Sequence, residues 1–442
     1  MHIGIYGAGY LGTVISACLG DFGTPVTCFD EDADRIAALA QGKIPYYERN
    51  LEDVVRRNVR AGRLVYSTDI DSFLRRSDVI FLAHDSSQYA EDLAARIGQT
   101  SAGALLIVVS PVPVGTGRRI ENAMRQANPK ITVVSHPVFF TDGCAVEDFN
   151  WPDRILLGTS SAEAVMTIKH LYRPLVMRGI PVVVTNHETA ELVREAANAF
   201  YATKISFINE LAAVCEQVNA DAVDLALALG LDKKIAPRCL QPGAAYGGPF
   251  AESLMDSLAQ LARSRGVSLK ILAAAREVNR SVSDGIVEKI CRMFVPPPAG
   301  RESIVPGWHA GEAVLESLRG KELGVLGLAF KPNTNSIAGS SSIMLVRGLN
   351  QRGAAVRVYD PAALPAAKSE LSDSVRFCEN AYAAADSADA LIVGTGWPEF
   401  RALDFERIRK SLRQPLIVDT KNLLDSDHLR SIGFQYVGCG RA

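Results

Sequence analysis

The chain lacks any pairing of its cysteines. All eight (Cys18, Cys28, Cys144, Cys215, Cys239, Cys291, Cys378 and Cys439) are scattered, with no CxxC and no metal-ligand spacing. That argues against a structural metal centre, and no metal is expected. Several stand in apolar runs and read as reduced core residues. No uninterrupted apolar run reaches membrane-spanning length, so no membrane partner is expected. No apolar leader precedes the glycine-rich turn at Gly7. Together these absences set the expectation of a reduced, cytoplasmic compartment. Net charge is also lacking, at −2, which removes any bulk pull toward nucleic acid. What remains is 442 residues, 48% hydrophobic and 22% charged, enough for two to three domains with cores of their own.

The first thing present is a nucleotide-binding pattern. His2 to Tyr6 reads as a short buried strand, and Gly7-Ala8-Gly9-Tyr10-Leu11-Gly12 follows it and opens a helical run from Thr13 to Phe22. This is GxGxxG between strand and helix, the context that the motif requires. Gly7 permits the tight turn, Gly9 the approach of a pyrophosphate, and Gly12 close packing of helix on strand. A second strand, Pro25 to Phe29, ends at Asp30. A carboxylate there accepts from ribose hydroxyls and repels a 2′-phosphate, so NAD is the expected cofactor. Tyr10, Leu11, Arg35, Ser110 and Pro111 complete the expected cofactor set. Strands at 78–83, 104–109 and 131–134 alternate with apolar-periodic helices, the pattern of a doubly wound parallel sheet.

Further on, 189–218 has apolar residues at helical spacing and is long for a globular helix. Helical pattern continues over 221–294. Pro296-Pro297-Pro298 begins a linker, and from Leu323 a second α/β unit starts, with strands at 323–326, 355–359, 390–394 and 416–419. The expected architecture is α/β, with two Rossmann-like doubly wound parallel-sheet domains joined by a long central helix and a helical middle domain. The boundaries are 1–188 for the NAD domain, 189–296 for the helical domain, 297–310 for the linker and 311–442 for the second sheet.

Several segments resemble the UDP-glucose/GDP-mannose dehydrogenase family. Leu240 to Gly248, ending Tyr246-Gly247-Gly248, is similar to that family's active-site loop. Ser110-Pro111-Val112-Pro113-Val114-Gly115-Thr116 resembles its Ser-Thr-Val-Pro-Val-Gly-Thr. Phe139 to Ala145 with Trp151-Pro152-Asp153-Arg154-Ile155 resembles its Asn-Pro-Glu-Phe-Leu…Pro-Asp-Arg-Ile region. Asn198-Ala199-Phe200, Lys204 to Glu210, Gly327 to Thr334, Val356 to Pro361 and Gly438 to Arg441 match as well. The resemblance implies a nucleotide sugar as substrate or a related phosphorylated small molecule. It implies sugar-nucleotide contacts at Phe139, Phe140, Asp142, Tyr246, Gly247, Gly248, Phe330, Lys331 and Lys234, and a homodimer through the central helix. It also implies a place in polysaccharide or secondary-metabolite biosynthesis.

The departures fall on chemistry. In ungapped register Phe250 stands where the family has its cysteine nucleophile, and Leu254 where it has the assisting aspartate. The alkoxide-stabilising lysine is Arg194, the Asn-Pro-Glu-Phe-Leu glutamate is Val138 and its asparagine is His136. Pro111 replaces a threonine, and Ala83-His84-Asp85-Ser86-Ser87 replaces a longer segment. Arg194 keeps a positive charge near an alkoxide but is a poor proton shuttle. Asn198, one turn further, can hold a water or hydroxyl. His136 is the new acid–base candidate, against the plainer reading of a structural hydrogen bonder. Cys239 and Cys144 are candidates to replace the thiol, against the plainer reading of packing. Glu252 either joins the chemistry or caps its helix, and Ser340 to Ser342 either cap a helix or bind phosphate. The expected function is an NAD-dependent oxidoreductase on a UDP-hexose-like nucleotide sugar or related phosphorylated polyol. Its chemistry would avoid a thioester, as a single hydride transfer or a redox-neutral reaction. Two alternatives stay open: a catalytically inactive binding paralogue, and an ordinary UDP-glucose 6-dehydrogenase with a displaced cysteine.

Overall fold

A computed structural model describes residues 1–84, 96–97, 105–248, 251–294, 317–371 and 375–441. The expected linker at 297–310 and the residues Asp85 to Ser87, Pro249 and Phe250 lie outside these. The chain divides into two compact units, Met1–Ala197 and Asn198–Ala442.

The first unit is built on an eight-stranded sheet. Its strands are β1 (Ile3–Tyr6), β2 (Val26–Phe29), β3 (Leu64–Ser67), β4 (Val79–Leu82), β5 (Leu105–Val108), β6 (Thr132–Ser135), β7 (Ile155–Gly158) and β8 (Val182–Thr185), in the order β3-β2-β1-β4-β5-β6-β7-β8. The first six follow the doubly wound order, with the switch point between β1 and β4. Helices cover both faces, so inner strands are apolar without alternation. In β4, Val79 and Phe81 enter one core cluster while Ile80 and Leu82 enter the other, as the two-residue period of a strand requires.

The doubly wound parallel sheet has one antiparallel step. β7 meets β6 antiparallel, with Ser135 opposite Gly158, while the other neighbours in this sheet run parallel. The connection from β6 to β7 holds the six-residue helix Ala145–Asn150.

The second unit carries a six-stranded, all-parallel sheet in the order β11-β10-β9-β12-β13-β14. Its strands are β9 (Glu322–Leu326), β10 (Ala355–Tyr359), β11 (Val375–Phe377), β12 (Ala390–Val393), β13 (Leu416–Asp419) and β14 (Gln435–Gly438). This repeats the doubly wound order, with a second switch point between β9 and β12. The helix Lys270–Phe294 buries Val282, Ile286, Val287 and Ile290, one helical face, in the core of this sheet. The helix Ser341–Gln351 packs against it, and Gly348 allows the approach, since a Cβ there would stand 2.7 Å from Val287. The central helix, His187–Val218, has 32 residues, about 48 Å at the α-helical rise. It begins in the first unit and continues into the second. Among the described residues no helix is long and apolar enough to cross a membrane.

Candidate active site

In the first unit the turn after β1 is shaped for a dinucleotide. Gly7 has φ +101°, which a side chain resists, and a Cβ on it would stand 2.9 Å from the Ala83 carbonyl oxygen at the end of β4. A Cβ on Gly12 would stand 1.8 Å from the Gly7 carbonyl oxygen, so the helix Tyr10–Asp21 presses directly on the turn. Gly9 is the N-cap of that helix and no side chain caps it, which leaves the first N–H groups for an anion. Asp30 is buried at the end of β2. Its carboxylate accepts from the Ala8 amide at 2.7 Å, the Arg35 guanidinium at 3.0 Å and the Asp32 amide at 3.0 Å. A bare helix N-terminus beside a fixed carboxylate fits the pyrophosphate and ribose of NAD. Ser110 is tied to the neighbouring strand. Its hydroxyl and its amide both donate to the Leu82 carbonyl, at 2.9 and 3.0 Å, fastening β5 to β4, and Pro111 follows half-buried.

Sequence reading missed Glu48. It is buried, accepts from the Tyr10 hydroxyl and takes the Gly143 amide at 2.7 Å. Burial pushes its carboxyl upward, and the Tyr10 hydroxyl and the amides of Gly143, Val146 and Ala145 oppose that. Glu48 thus ties the dinucleotide turn to the 139–145 loop, which carries Phe139, Phe140, Asp142 and Cys144. On that loop the Arg154 guanidinium lies 4.0 Å over the Phe139 ring, and Phe140 packs on Phe149. Val138, in place of a glutamate, packs against the core. Its neighbour His136 is buried. One ring nitrogen, Nδ1, is 2.8 Å from the Leu156 carbonyl oxygen and the other, Nε2, is 3.1 Å from the Tyr172 hydroxyl. Burial pulls its pKa down to about 4. The acid–base expectation gives way here to the structural one.

The Val112-to-Thr116 segment ends in a helix N-terminus that Glu191 fills. Glu191 accepts from the amides of Gly115 at 2.6 Å and Gly117 at 2.7 Å and from the Ser135 hydroxyl at 3.0 Å. Arg194, one turn on, is buried on the central helix. Burial pulls its pKa down to about 10, with Glu195 and Glu191 opposing. It therefore stays cationic at neutral pH.

In the second unit the segment Leu240–Gly248 is stitched to three elements. From the central helix, Asn209 accepts the Gly243 amide at 2.9 Å. From the helix Lys270–Phe294, Asn279 accepts the Tyr246 amide at 2.9 Å and donates to the Tyr246 carbonyl at 3.1 Å. From the ends of the sheet, the Thr420 carbonyl accepts the Ala244 amide at 2.7 Å and the Ala338 carbonyl accepts the Gly248 amide at 3.2 Å. Both glycines are needed. A Cβ on Gly247 would stand 1.9 Å from the Gly339 carbonyl oxygen, and Gly248, at φ +118°, lies against the Phe330 ring. The Lys331 ammonium is 5.6 Å from that ring. The result is a backbone surface at the carboxyl ends of β9 and β13, floored by an aromatic ring and edged with cations, where doubly wound sheets hold ligands. Lys421, also missed in the sequence, sits after β13 at this rim. Burial pulls its ammonium down to about 8, against Cys439 and Asp419.

The turn after β9 resembles the first but is closed. Gly327 again has a left-handed φ, +92°, and Asp360, like Asp30, accepts the amides that follow, Leu328 at 2.7 Å and Ala329 at 3.0 Å. Asp360 is also occupied by the Trp397 indole at 3.1 Å and the amides of Ala362 and Ala363. Ser340 caps the helix Ser341–Gln351 with its own hydroxyl, so the serine run acts as a cap. Of the remaining candidates, Lys234 is exposed and Glu252 pairs with Arg276 at 2.9 Å. Cys239 is half-buried at φ +63°, with its thiol pushed up by burial against the pull of Lys204 and Arg238. The position of Phe250 lies outside the described residues.

The whole length of the chain has recognisable relatives. Residues 1–176 match the NAD binding domain of the UDP-glucose/GDP-mannose dehydrogenase family, residues 188–281 its central domain and residues 324–426 its UDP binding domain. A UDP-glucose 6-dehydrogenase of Rhizobium meliloti (strain 1021) is 36% identical over 456 residues, covering 100% of both chains. The UDP-glucose 6-dehydrogenase TuaD of Bacillus subtilis (strain 168) is 35% identical over 99% of this chain and 93% of its own. Among solved structures, a UDP-glucose dehydrogenase from the hyperthermophilic archaeon Pyrobaculum islandicum superposes with a TM-score of 0.85 at 28% identity, covering 100% of this chain and 98% of that one.

Proposed function

The chain belongs to the UDP-glucose/GDP-mannose dehydrogenase family and is an NAD-dependent nucleotide-sugar dehydrogenase acting on CH–OH, and from that premise we propose that it oxidises the primary alcohol of a UDP-hexose, UDP-glucose first among them. The observation that carries this is the seat of Leu240–Gly248 on the carboxyl ends of β9 and β13, with Gly248 on the Phe330 ring. The ring is suited to stack on the base or ribose. Lys331 and Lys421 supply positive charge for the diphosphate. In the first unit the Gly7–Gly12 turn, Asp30 and Arg35 hold the cofactor. NAD held there would supply the acceptor for the hydride that leaves the carbinol carbon. Arg194 stabilises the alkoxide that precedes that loss, and Asn198 orients the hydroxyl or a water. The hydroxyl proton passes to the water that Asn198 orients and on to solvent, and neither Arg194 nor the buried His136 carries it.

The family resemblance implies oxidation through to the acid, which requires a thiol to hold the aldehyde carbon for the second step. Cys239, which leads into the loop, is the residue assigned to it. A second reading is favoured by Phe250 in the thiol's place and by the raised pKa of Cys239, which starves it of thiolate. On that reading oxidation stops after one hydride. Purified protein with NAD and limiting UDP-glucose decides. Two NADH per sugar, lost on Cys239→Ser, supports the complete oxidation. One NADH per sugar, unchanged by that substitution, supports the arrested one. No NADH with any UDP-hexose overturns both and leaves a binding protein.

A further inference from the structure

The Leu240–Gly248 segment, the end of β13 and the last residues of the chain meet at one side chain, Asn422. Its Nδ2 donates to the Pro242 carbonyl at 3.2 Å and to the Cys439 carbonyl at 2.9 Å, and its Oδ1 accepts the Cys439 amide at 3.1 Å. Both amide hydrogens and the carbonyl are therefore in use. The backbone of Asn422 is left-handed, at φ +47°, a conformation that asparagine tolerates better than other side chains. Gly438 makes room for it, because a Cβ there would stand 2.5 Å from Asn422 Oδ1.

Each segment that reaches Asn422 is itself anchored. Gly440 donates to Glu216 at 2.8 Å and accepts from the Ala222 amide at 2.8 Å, Lys289 bridges Glu216 and the Gly438 carbonyl, and Arg441 binds Asp221 at 2.8 Å. These bonds lock the chain end to the helices. On the other side Gln241 Nε2 donates to the Lys421 carbonyl at 3.1 Å, and a Cβ on Gly243 would lie 2.7 Å from the Thr420 carbonyl oxygen. Pro242 starts the run of bonds that ends with Gly248 on Phe330. Moving Pro242 shifts that run relative to the sheet end.

We propose that Asn422 is a positioning residue for Leu240–Gly248: by holding Pro242 to the locked chain end it sets where Gly247 and Gly248 meet Gly339 and Phe330, and so the affinity for the nucleotide half of the substrate. The affinity half of this rests on the function proposed above; the joint itself does not. Asn422→Asp keeps the size and the acceptor for Cys439 but turns a carboxylate oxygen toward two carbonyls. Calorimetric titration of the full chain with UDP and with NAD, together with amide exchange over 240–248 and 3–29, tests it. The expected result is UDP affinity at least tenfold weaker, NAD affinity within twofold, and faster exchange in 240–248 alone. Unchanged exchange there, or UDP affinity within twofold of the parent, overturns the proposal. If the parent chain itself binds no UDP, the nucleotide reading falls, and exchange over 240–248 judges the joint by the same criterion. If Asn422→Asp does not fold, Gly438→Ala presses one methyl on Oδ1 and removes no polar group, with the same readouts.

Discussion

His136 lies between the Leu156 carbonyl and the Tyr172 hydroxyl, and burial holds its imidazole neutral down to a pKa of about 4. A free imidazole titrates near 6.5. Between these values the unfolded chain takes up a proton that the folded chain refuses, so stability falls as pH drops through 6.5 toward 4. At pH 5 the single residue accounts for about 2 kcal/mol of that loss. Thermal melts of the parent and of His136→Asn at pH 7.5 and pH 5 measure it. The parent should lose more Tm on acidification than the variant, and equal losses would show that His136 does not titrate against folding. The same residue shows where sequence reading stops. Gly7, Gly12 and Asp30 were legible because one local pattern fixes strand, turn and helix together. The direction of the His136 ring is decided by Leu156 and Tyr172, 20 and 36 residues away. Glu48 takes its meaning from Gly143, 95 residues on, and Lys421 from burial alone. No spacing rule reports either.

Glycines mark where elements touch, and Gly247 gives the sharpest test. A methyl there would lie 1.9 Å from a backbone oxygen, that of Gly339, which cannot rotate away as a side chain would. Gly247→Ala should therefore displace the loop or the 327–340 turn, weakening UDP binding at least tenfold while NAD binding in the first unit stays within twofold. Calorimetry on the folded variant checks this, and unaltered UDP affinity would remove the loop from the nucleotide site. The loop was visible in sequence because Tyr246-Gly247-Gly248 is a dense local signal. The helices and the inner strands were visible too, since their apolar runs or helical periods are unbroken. The less visible strands lie mostly toward the sheet margins. β3 and β8 are partly exposed edges, β11 has three residues, and β14 has four, of which Gln435 is exposed and Val437 half-buried. The reversed step at β7 carries no local pattern and becomes visible only once both strands are placed side by side.

At the scale of the molecule, the contact boundary falls at Ala197 and Asn198, inside the central helix. Sequence reading placed a boundary where that helix begins, since composition marks the start of a helix but not the point where its neighbours change. The second part of the helix carries an apolar stripe that its own unit leaves open. Phe200, Phe207, Val214 and Val218 are 63%, 53%, 55% and 65% exposed. They recur at seven, seven and four residues, one face of an α-helix. Leu227 and Leu231, on the helix Ala222–Leu231, are exposed at 64% and 77%. Uncovered apolar surface of this extent marks an interface, and a second copy offers a matching stripe by symmetry. Burying one large apolar side chain per copy contributes roughly 1.5–3 kcal/mol, and a buried unpaired carboxylate reverses the sign. Light scattering after gel filtration should give a dimer of the 442-residue chain, and Phe207→Asp should shift it to monomer with the fold, read by circular dichroism, retained. A parent chain that elutes as a monomer at micromolar concentration would leave the stripe without its partner and end this reading of the central helix.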